Sequence, residues 1–466
     1  MNCKEHHIYY IILLALIIRL VFLLSVHLFP ANIAFHANDS KGYIALAKEL
    51  SSHGRFVNSL EGTLYGRPHT PEIVRTPGYP LFLIPGIWLG NLELVTIFLQ
   101  IILCCLTVFY TYKLSLILFN NIFAALTSAA LVAIDPMSIF FTIYILSETL
   151  FAFLIIVFVY YYVTYINSRE LKYLIIASIS LVISIFVRPI GYYLTFLLAL
   201  GFIVFKICTR KFDLKVFVHT CIFLLIVIIP VSAWQVRNYV TAQYPGFSAI
   251  SECSIYFHNA AAVLAKKMNT SYTDLQVKMG QWDVNDYFKV HPEQRSWTEA
   301  ERFRYMKEQS LNIIKNNPLI YAKIHLMGML RVLFDPGMVK YFKLFRYQDD
   351  QVQFIKYLVD NGIVATIKII CFKRPLMFIF YVISGALLFA IIVFACWSLI
   401  SKNMHYTLPI ILMLLIIMYI VFISGGPTDN PRYRLPIMPL ISIFAGFGLS
   451  DWLQKRTGKQ KNLSSQ

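Results

Sequence analysis

The sequence has few charged residues. Aspartate, glutamate, lysine and arginine make up 14% of its 466 residues, whereas 58% are hydrophobic. Soluble domains carry about 25% charged residues, so this composition excludes an ordinary soluble globular protein. Apolar runs of roughly 20 residues, enough to span a bilayer, recur along most of the chain. The composition therefore predicts an all-α polytopic membrane protein.

The eight cysteines form no C-x-x-C pair, so that kind of zinc or redox motif is lacking. Cys253 and Cys371 lie in a long polar region, and two cysteines alone do not establish a disulfide there. The net charge of +17 would suit nucleic acid. Because the lysines and arginines are dispersed around the apolar runs, we interpret them as topology determinants and headgroup anchors, with no nucleic-acid partner.

About ten membrane spans are predicted. The first, 8–29, is interpreted as a retained signal anchor, and it contains Arg19, which must pack against protein because arginine inside a bilayer costs about 3 kcal/mol or more. The other predicted spans are 92–112, 115–134, 147–166, 171–187, 190–207, 216–233, 375–400, 405–423 and 435–452.

Positive charge sets the orientation, because short cytoplasmic segments are rich in lysine and arginine. With both termini inside, 13 such residues fall in the short inner segments and only Arg188, Arg432 and Arg434 in the short outer turns. We therefore predict a membrane module over 1–233 with an outer loop at 30–91, an outer region at 234–374, further spans over 375–452 and a basic cytoplasmic tail at 453–466.

This orientation places acids and arginines together at the outer face, a mixture that suits a ligand with an anionic headgroup and a lipid tail. Its members are Asp39, Arg67, Arg75, Asp135, Glu148, Arg188, Arg432 and Arg434.

The stretch "HANDSKGYIALAKELSSHGRF" predicts a helix over 40–53 that Gly54 ends. Asp39 and Tyr43 share one face of it. A structural alternative makes Asp39 or Ser40 simply the N-cap. In "RTPGYPLFL", Thr76 and Pro77 can start a helix whose free N–H groups, beside Arg75, favour an anion. The alternative here is an ordinary membrane helix with an interfacial arginine.

These motifs resemble the GT-C superfamily of polytopic glycosyltransferases, and most closely the bacterial branch around protein O-mannosyltransferases and lipid A aminoarabinose transferases. Asp39 with Tyr43 and "RTPGYPLFL" are followed in order by "DPMSIFFTIYILSETLF" (135–151), "VRPIGYYL" (187–194) and "NPRYRLPIMPLI" (430–441). The outer region 234–374 matches no part of this pattern. The resemblance implies a GT-C-like fold with a small, mainly helical outer region.

The resemblance also implies a reaction. Such enzymes move a sugar from a polyprenyl phosphate to an acceptor on the outer face of the cytoplasmic (inner) membrane, with inversion. Asp39 would be the catalytic carboxylate, and Glu148 a second acid of the site or a helix-start acid. The remaining predicted site residues are Arg75, Arg432, Arg434, Lys41 and Arg188 for the donor phosphate, and Tyr43, Tyr79 and Asp135 for substrate.

The partners implied are a polyprenyl-phosphate-linked sugar and a lipid, glycan or protein acceptor. Some relatives carry two adjacent acids where this chain has Asp39 and Ser40. Three acids at the site allow a divalent metal, but nothing demands one, and no cofactor is favoured. Two other functions stay open: a transporter or flippase for lipid-linked sugars, and a non-catalytic partner in envelope glycan assembly.

Three details of the outer face can be checked directly. Arg432 and Arg434 stand two apart, so an extended backbone would aim both at one phosphate, whereas lipid headgroup anchoring is the alternative. In the outer region, Ser296 and Glu299 predict a capping box. A second amphipathic helix is predicted over about 318–334.

Overall fold

The computed structural model describes residues 6–28, 35–59, 69–196, 214–337, 341, 375–428 and 430–463. Within these ranges the regular structure is helical, apart from one isolated antiparallel bridge between Val57 and Pro71. The predicted all-α class is confirmed.

The helices follow one another through short turns. In chain order they are α1 (His7–Leu28), α2 (Asn38–His53), α3 (Gly78–Trp88), α4 (Leu92–Phe119), α5 (Ile122–Ala133), α6 (Pro136–Thr142), α7 (Glu148–Ser168), α8 (Leu171–Val187), α9 (Leu214–Ala242), α10 (Ile250–Ser254), a π-helix (Ile255–Ala260), α11 (Ala261–Met268), α12 (Tyr272–Lys278), α13 (Val284–Val290), a 3₁₀ helix (Pro292–Ser296), α14 (Glu299–Lys315), α15 (Pro318–Phe334), α16 (Pro375–Ile400), α17 (Leu408–Ile423), a 3₁₀ helix (Asn430–Ile437) and α18 (Met438–Leu463).

Six helices of the described part are long and apolar enough to cross a membrane, which identifies a multi-pass membrane protein. They are α1, α4, α7, α9, α16 and α18. The pair α5 and α6, bent by 50° at its break, makes a seventh if it forms one span, and α3, α8 and α17 are shorter apolar helices. The count of ten stays a prediction, since most of the predicted span 190–207 lies outside the described residues.

Two helices run past the ends of the predicted spans. Pro230 lies inside α9, which continues past 233 to Ala242, and α18 continues past 452 to Leu463. A proline ends a helix less reliably in a membrane bundle, because neighbouring groups can satisfy the backbone carbonyl that it frees.

Close contacts hold the membrane bundle together. A Cβ at Gly446 of α18 would meet Ser128 of α5, and one at Gly448 would meet the backbone of Phe394 in α16. Small residues of this kind let membrane helices approach closely. Arg19 of α1 is fully buried and donates to the carbonyl of Ala133 at 3.0 Å, so its predicted packing against protein is confirmed.

The outer region has its own apolar core, formed by α10, the π-helix, α13 and α14 around Phe257, Tyr287 and Phe303. The predicted capping box is displaced by two residues. Thr298 caps α14 and exchanges hydrogen bonds with Glu301, because helix α14 begins only at Glu299. The predicted second helix is confirmed as α15. Cys253 is a free, buried cysteine, and Cys371 lies outside the described residues.

Candidate active site

Five charged side chains meet where helices of the membrane module begin or end. Asp39 lies in the first turn of α2, and Glu148 is the first residue of α7. Arg75 precedes α3, Arg188 follows α8, and Arg432 lies in the 3₁₀ helix before α18. We call these five residues the Asp39 cluster.

Arg432 bridges the two acids of the cluster. Its Nη1 lies 3.3 Å from Asp39 Oδ2, and its Nε lies 3.7 Å from Glu148 Oε1. Arg188 Nη1 lies 2.7 Å from the same Glu148 oxygen, and Arg75 Nη2 lies 3.9 Å from Asp39 Oδ1. The carboxylates are thus joined through arginines.

Counted by residue type, the three arginines and two acids give the cluster a formal excess of one positive charge. Glu148 is only 2% exposed, and its Oε2 is buried without a hydrogen-bond partner in the described part of the chain. The Asp39 side chain is 36% exposed. The site therefore offers a reachable carboxylate next to cations, an arrangement that attracts a single anionic group.

The charges of the cluster keep Asp39 ionised. Burial of the carboxyl raises its pKa, but the charges of Arg432 and Arg75 and the hydrogen bond from Arg432 outweigh burial. The net effect is a pKa below the ordinary range of aspartate. At neutral pH Asp39 therefore carries its negative charge, which is the form that a general base requires.

Helix α2 has its predicted end and a different N-cap. Gly54 ends it in the left-handed conformation, with φ 63°. The N-cap is Ala37, whose N–H donates to Ser40 Oγ at 2.8 Å. The hydroxyl of Ser40 in turn donates to the carbonyl of Ile145 at 2.8 Å. The alternative that Asp39 is the N-cap is thus wrong, and Ser40 fixes the first turn of α2.

Arg75 is placed by two residues that the sequence analysis did not single out. Glu72 is 2% exposed, and its Oε1 accepts from the backbone N–H groups of Val74 and Arg75 at 2.7 and 2.8 Å. A Cβ at Gly42 would lie 2.5 Å from Arg75 Cζ. Glycine at this position of α2 leaves room for the guanidinium where it lies, and a methyl group there would displace the end of the Arg75 side chain.

Arg188 is placed by a close contact between α8 and α3. A Cβ at Gly78 would lie 2.6 Å from the backbone carbonyl of Phe186, so glycine is required for this approach. Arg75 precedes Gly78 by three residues, and Arg188 follows Phe186 by two. The contact therefore sets the separation of the two arginines.

Tyrosines surround the guanidiniums. The ring centroid of Tyr433 lies 5.0 Å from Arg432 Cζ and 5.7 Å from Arg188 Cζ, and that of Tyr43 lies 5.6 Å from Arg75 Cζ. Such contacts hold the planar cations in position. Tyr79 is fully buried behind Tyr43, and its hydroxyl donates to Gln100 at 3.1 Å. The structure thus places Tyr79 behind Tyr43 as a packing support, and its predicted contact with substrate stays a prediction.

Two predicted site residues lie in a separate group that we call the Asp135 cluster: Asp135, Arg434 and Arg19. Asp135 is 4% exposed and caps α6 by accepting from the Ser138 N–H at 2.7 Å. Ser138 Oγ also accepts from Arg19, at 2.8 Å. Asp135 and Arg434 line one small cavity.

Arg434 binds backbone. It is 2% exposed and donates to the carbonyls of Val332 and Asp335, at the end of α15, at 2.8 and 2.9 Å. The prediction that Arg432 and Arg434 reach one ligand assumed an extended backbone. It is wrong because a 3₁₀ helix, with three residues per turn, turns side chains two apart in different directions. Lys41 is exposed on α2, and Arg67 lies outside the described residues.

In the Asp39 cluster a guanidinium occupies the place that a metal ion shared by the two acids would take. The guanidinium of Arg432 lies between Asp39 and Glu148, where a cation shared by the two carboxylates would bind. Hard divalent cations take six or more oxygen ligands. No group of three or more His, Cys, Asp or Glu in the described ranges could hold a metal.

One titratable group of the outer region lies within electrostatic range of the site. The pKa of His258, in the π-helix, falls to about 4 through burial and the nearby charge of Arg432, and the charge of Asp39 opposes this shift. Neither His258 nor the support from Gly42 and Glu72 carries a sequence signal. Tyr433, in contrast, lies between the two arginines of the quoted "NPRYR" motif, so its place at the site could have been predicted from the sequence.

No protein-family model matches the chain, and no curated protein matches its sequence. Solved structures match its fold. Archaeal oligosaccharyltransferase AglB from Archaeoglobus fulgidus, in complex with an inhibitory peptide and a dolichol-phosphate, is 16% identical with a TM-score of 0.53, over 100% of this chain and 52% of that one.

Two other structures of the Archaeoglobus fulgidus oligosaccharyltransferase agree. The apo form is 14% identical with a TM-score of 0.54, over 99% of this chain and 52% of that one. The complex with Zn and sulfate is 15% identical with a TM-score of 0.51, over 96% of this chain and 49% of that one. The chain thus spans about half the length of the structures it matches. The fold implied by the sequence resemblance is confirmed, because the chain shares the fold of this archaeal oligosaccharyltransferase.

Proposed function

We propose that the chain is a membrane glycosyltransferase that moves a sugar from a polyprenyl phosphate to an acceptor hydroxyl, with inversion. The observation that carries this proposal is the Asp39 cluster, where an ionised, partly exposed carboxylate lies within 4 Å of two arginines. The GT-C fold adds support, because the archaeal enzyme of that fold was solved with dolichol-phosphate.

Asp39 is the proposed base. The acceptor oxygen attacks the anomeric carbon while its proton passes to the Asp39 carboxylate. The bond between the anomeric carbon and the phosphate oxygen breaks, and its electron pair leaves with the polyprenyl phosphate. A single displacement of this kind inverts the anomeric centre.

Arg75, Arg188 and Arg432 are the proposed phosphate-binding residues. The leaving phosphate gains negative charge in the transition state, so fixed cations at that point lower the barrier. The single excess positive charge of the cluster matches a phosphodiester, which carries one negative charge. Glu148 holds Arg188 and Arg432 in place, at 2.7 and 3.7 Å.

We propose that this transfer needs no divalent metal, because Arg432 provides the cation between the two acids. The test is transfer in the presence of EDTA. Full activity after chelation would support the role of Arg432, whereas loss of activity that Mg²⁺ or Mn²⁺ restores would contradict it.

The proposed location is the cytoplasmic membrane with the site at its outer face. The acceptor is a lipid, glycan or protein hydroxyl supplied from that side. Reporter fusions at positions 60 and 300 are expected outside and fusions at 210 and 460 inside. A fusion at 60 that reads inside would contradict this orientation.

The function is tested by reconstitution. The full chain in proteoliposomes receives undecaprenyl-phosphate-linked sugars together with an envelope lipid and glycan extract. The expected result is loss of one lipid-linked sugar, release of undecaprenyl phosphate and a new glycosylated product, each measured by mass spectrometry. Movement of the intact donor between leaflets, with no product, would favour a flippase instead.

A further inference from the structure

A single buried amide, that of Gln100 in α4, bonds to two segments that carry residues of the Asp39 cluster. Gln100 is fully buried. Its Oε1 accepts from the hydroxyl of Tyr79 at 3.1 Å, and its Nε2 donates to the carbonyls of Thr142 and Tyr144, both at 2.8 Å. Because a backbone carbonyl can only accept, Nε2 must face the two carbonyls, and its two hydrogens serve one carbonyl each. The orientation of the amide is thereby fixed.

The Oε1 side of the amide leads to Asp39 through two tyrosines. The ring of Tyr79 packs edge-on against the ring of Tyr43, with the centroids 4.9 Å apart. The guanidinium of Arg75 lies over the Tyr43 ring, 5.6 Å from its centroid, and approaches Asp39 Oδ1 at 3.9 Å. The hydroxyl bond to Gln100 therefore holds the tyrosine pair on which Arg75 rests.

The Nε2 side of the amide leads to both acids through the segment 142–148. The carbonyl of Ile145 in this segment accepts from the hydroxyl of Ser40, the residue after Asp39. The segment ends at Glu148, the first residue of α7. Two bonds from one amide thus fix the backbone that leads directly into Glu148 and also holds the first turn of α2.

The separation of the two acids matters because one guanidinium serves both. Arg432 reaches Asp39 with Nη1 at 3.3 Å and Glu148 with Nε at 3.7 Å. A shift of α3 or of the segment 142–148 would lengthen one of these distances. Displacements of about 1 Å in an active site can cost a hundred-fold in rate.

We propose that Gln100 is a positioning residue of the active site, which sets the place of Arg75 and Glu148 around Asp39. The inference rests on the proposed function and extends its machinery into the interior of the membrane bundle. Gln100 acts through its neighbours, since it is fully buried. The alternative is that its hydrogen bonds only stabilise the fold.

The test uses Gln100→Met and Tyr79→Phe in the reconstituted full chain. Methionine keeps the length of the side chain and loses all three bonds, whereas Tyr79→Phe loses only the bond to Oε1. The transfer rate at limiting extract, which is proportional to kcat/KM, is expected to fall roughly ten- to a hundred-fold in Gln100→Met. Tyr79→Phe is expected to show a smaller fall.

The pH profile separates positioning from stability. Burial raises the pKa of Asp39, and three arginine charges lower it, those of Arg432, Arg75 and Arg188. When Arg75 is no longer held against Asp39, one of these charges acts more weakly and the pKa rises. The acid limb of kcat/KM is therefore expected to move to higher pH in both variants. A loss of folded protein alone would lower the rate at every pH and leave the limb in place.

Ser115→Ala is the matched control. Ser115 is also a fully buried residue of α4, and its hydroxyl lies 3.3 Å from that of Ser128 in α5. This variant loses a contact between helices that does not involve the Asp39 cluster. Its transfer rate per folded molecule and its acid limb are expected to stay at the wild-type values.

The inference would be overturned if the acid limb of folded Gln100→Met stayed at the wild-type pH, whatever its rate. If Gln100→Met yields no folded protein, Tyr79→Phe decides, because it keeps both bonds to the carbonyls, and an unmoved limb there would overturn the inference equally. Failure of the proposed function has a different signature. The wild-type chain would then consume none of the lipid-linked sugars, and the role of Gln100 would fall with it.

Discussion

The Asp39 cluster and the Asp135 cluster are built from the same residue types and serve different ends. In the Asp39 cluster, arginines with exposures of 12% to 21% pair with carboxylates. In the Asp135 cluster, Arg19 and Arg434 are at most 2% exposed and donate mainly to backbone carbonyls. An arginine that donates to backbone carbonyls stabilises the packing of helices. An arginine that is paired with a carboxylate can exchange part of that ion pair for a substrate anion.

The same substitution in each cluster gives the largest expected contrast. Asp39→Asn is expected to lower transfer by roughly 10²- to 10⁴-fold, since it removes the base while keeping the size of the side chain. Asp135→Asn keeps a good N-cap residue, so transfer per folded molecule is expected to stay at the wild-type level. The measurement is the transfer rate of each variant, divided by the amount of folded protein that its size-exclusion profile shows. If the Asp39→Asn variant turned over near the wild-type rate, Asp39 would not be the base.

The two arginines of "NPRYR" are expected to respond oppositely to lysine. Arg432→Lys loses the planar fork that spans Asp39 and Glu148, so transfer is expected to fall roughly ten- to a hundred-fold with little change in thermal stability. Arg434→Lys is expected to lower the free energy of unfolding by about 2–3 kcal/mol, because bonds from a buried cation to carbonyls are lost. Thermal unfolding and undecaprenyl-phosphate binding, measured on both variants, test this. Weakened binding in Arg434→Lys alone would reverse the two assignments.

Gly42→Ala tests the packing that places Arg75. The added methyl group would displace the guanidinium, and small displacements in a site are costly, so transfer is expected to fall about ten-fold. Alanine also favours the helix by about 0.5–1 kcal/mol, so thermal stability is not expected to fall. Gly385→Ala in α16 is the matched control, since a Cβ there meets nothing within 4 Å. Equal activity of the two variants would contradict the role of Gly42.

Arg75→Gln gives the smallest effect, on pH dependence. The Arg75 charge helps to lower the pKa of Asp39 against burial, so its removal raises that pKa. A base is active above its pKa, and the acid limb of kcat/KM is therefore expected to move to higher pH. The control is Lys41→Gln, which removes an exposed cation and should leave the limb in place. No movement in Arg75→Gln would mean that Arg432 alone sets the pKa.

The fold class and most residues of the Asp39 cluster could be predicted from the sequence. Apolar runs, helical spacing and the glycines and prolines at helix ends are local properties, so α1, α2 and α15 were predicted near their observed bounds. Asp39, Glu148, Arg75, Arg188 and Arg432 were all named, because acids and arginines at helix ends are rare in so apolar a chain and stand out.

Only the tertiary structure separated the two clusters. Asp135 and Arg434 have the same residue types and the same predicted side of the membrane as Asp39 and Arg432, and what distinguishes them is the set of atoms around each side chain. The direction of Arg434 towards α15 and the space beside Gly42 both depend on contacts between segments far apart in sequence. The sequence by itself determined which residues had the required chemistry, because charge and hydropathy are properties of single residues. Packing decided which of them meet, because distance, burial and hydrogen bonding belong to pairs of residues that the fold brings together.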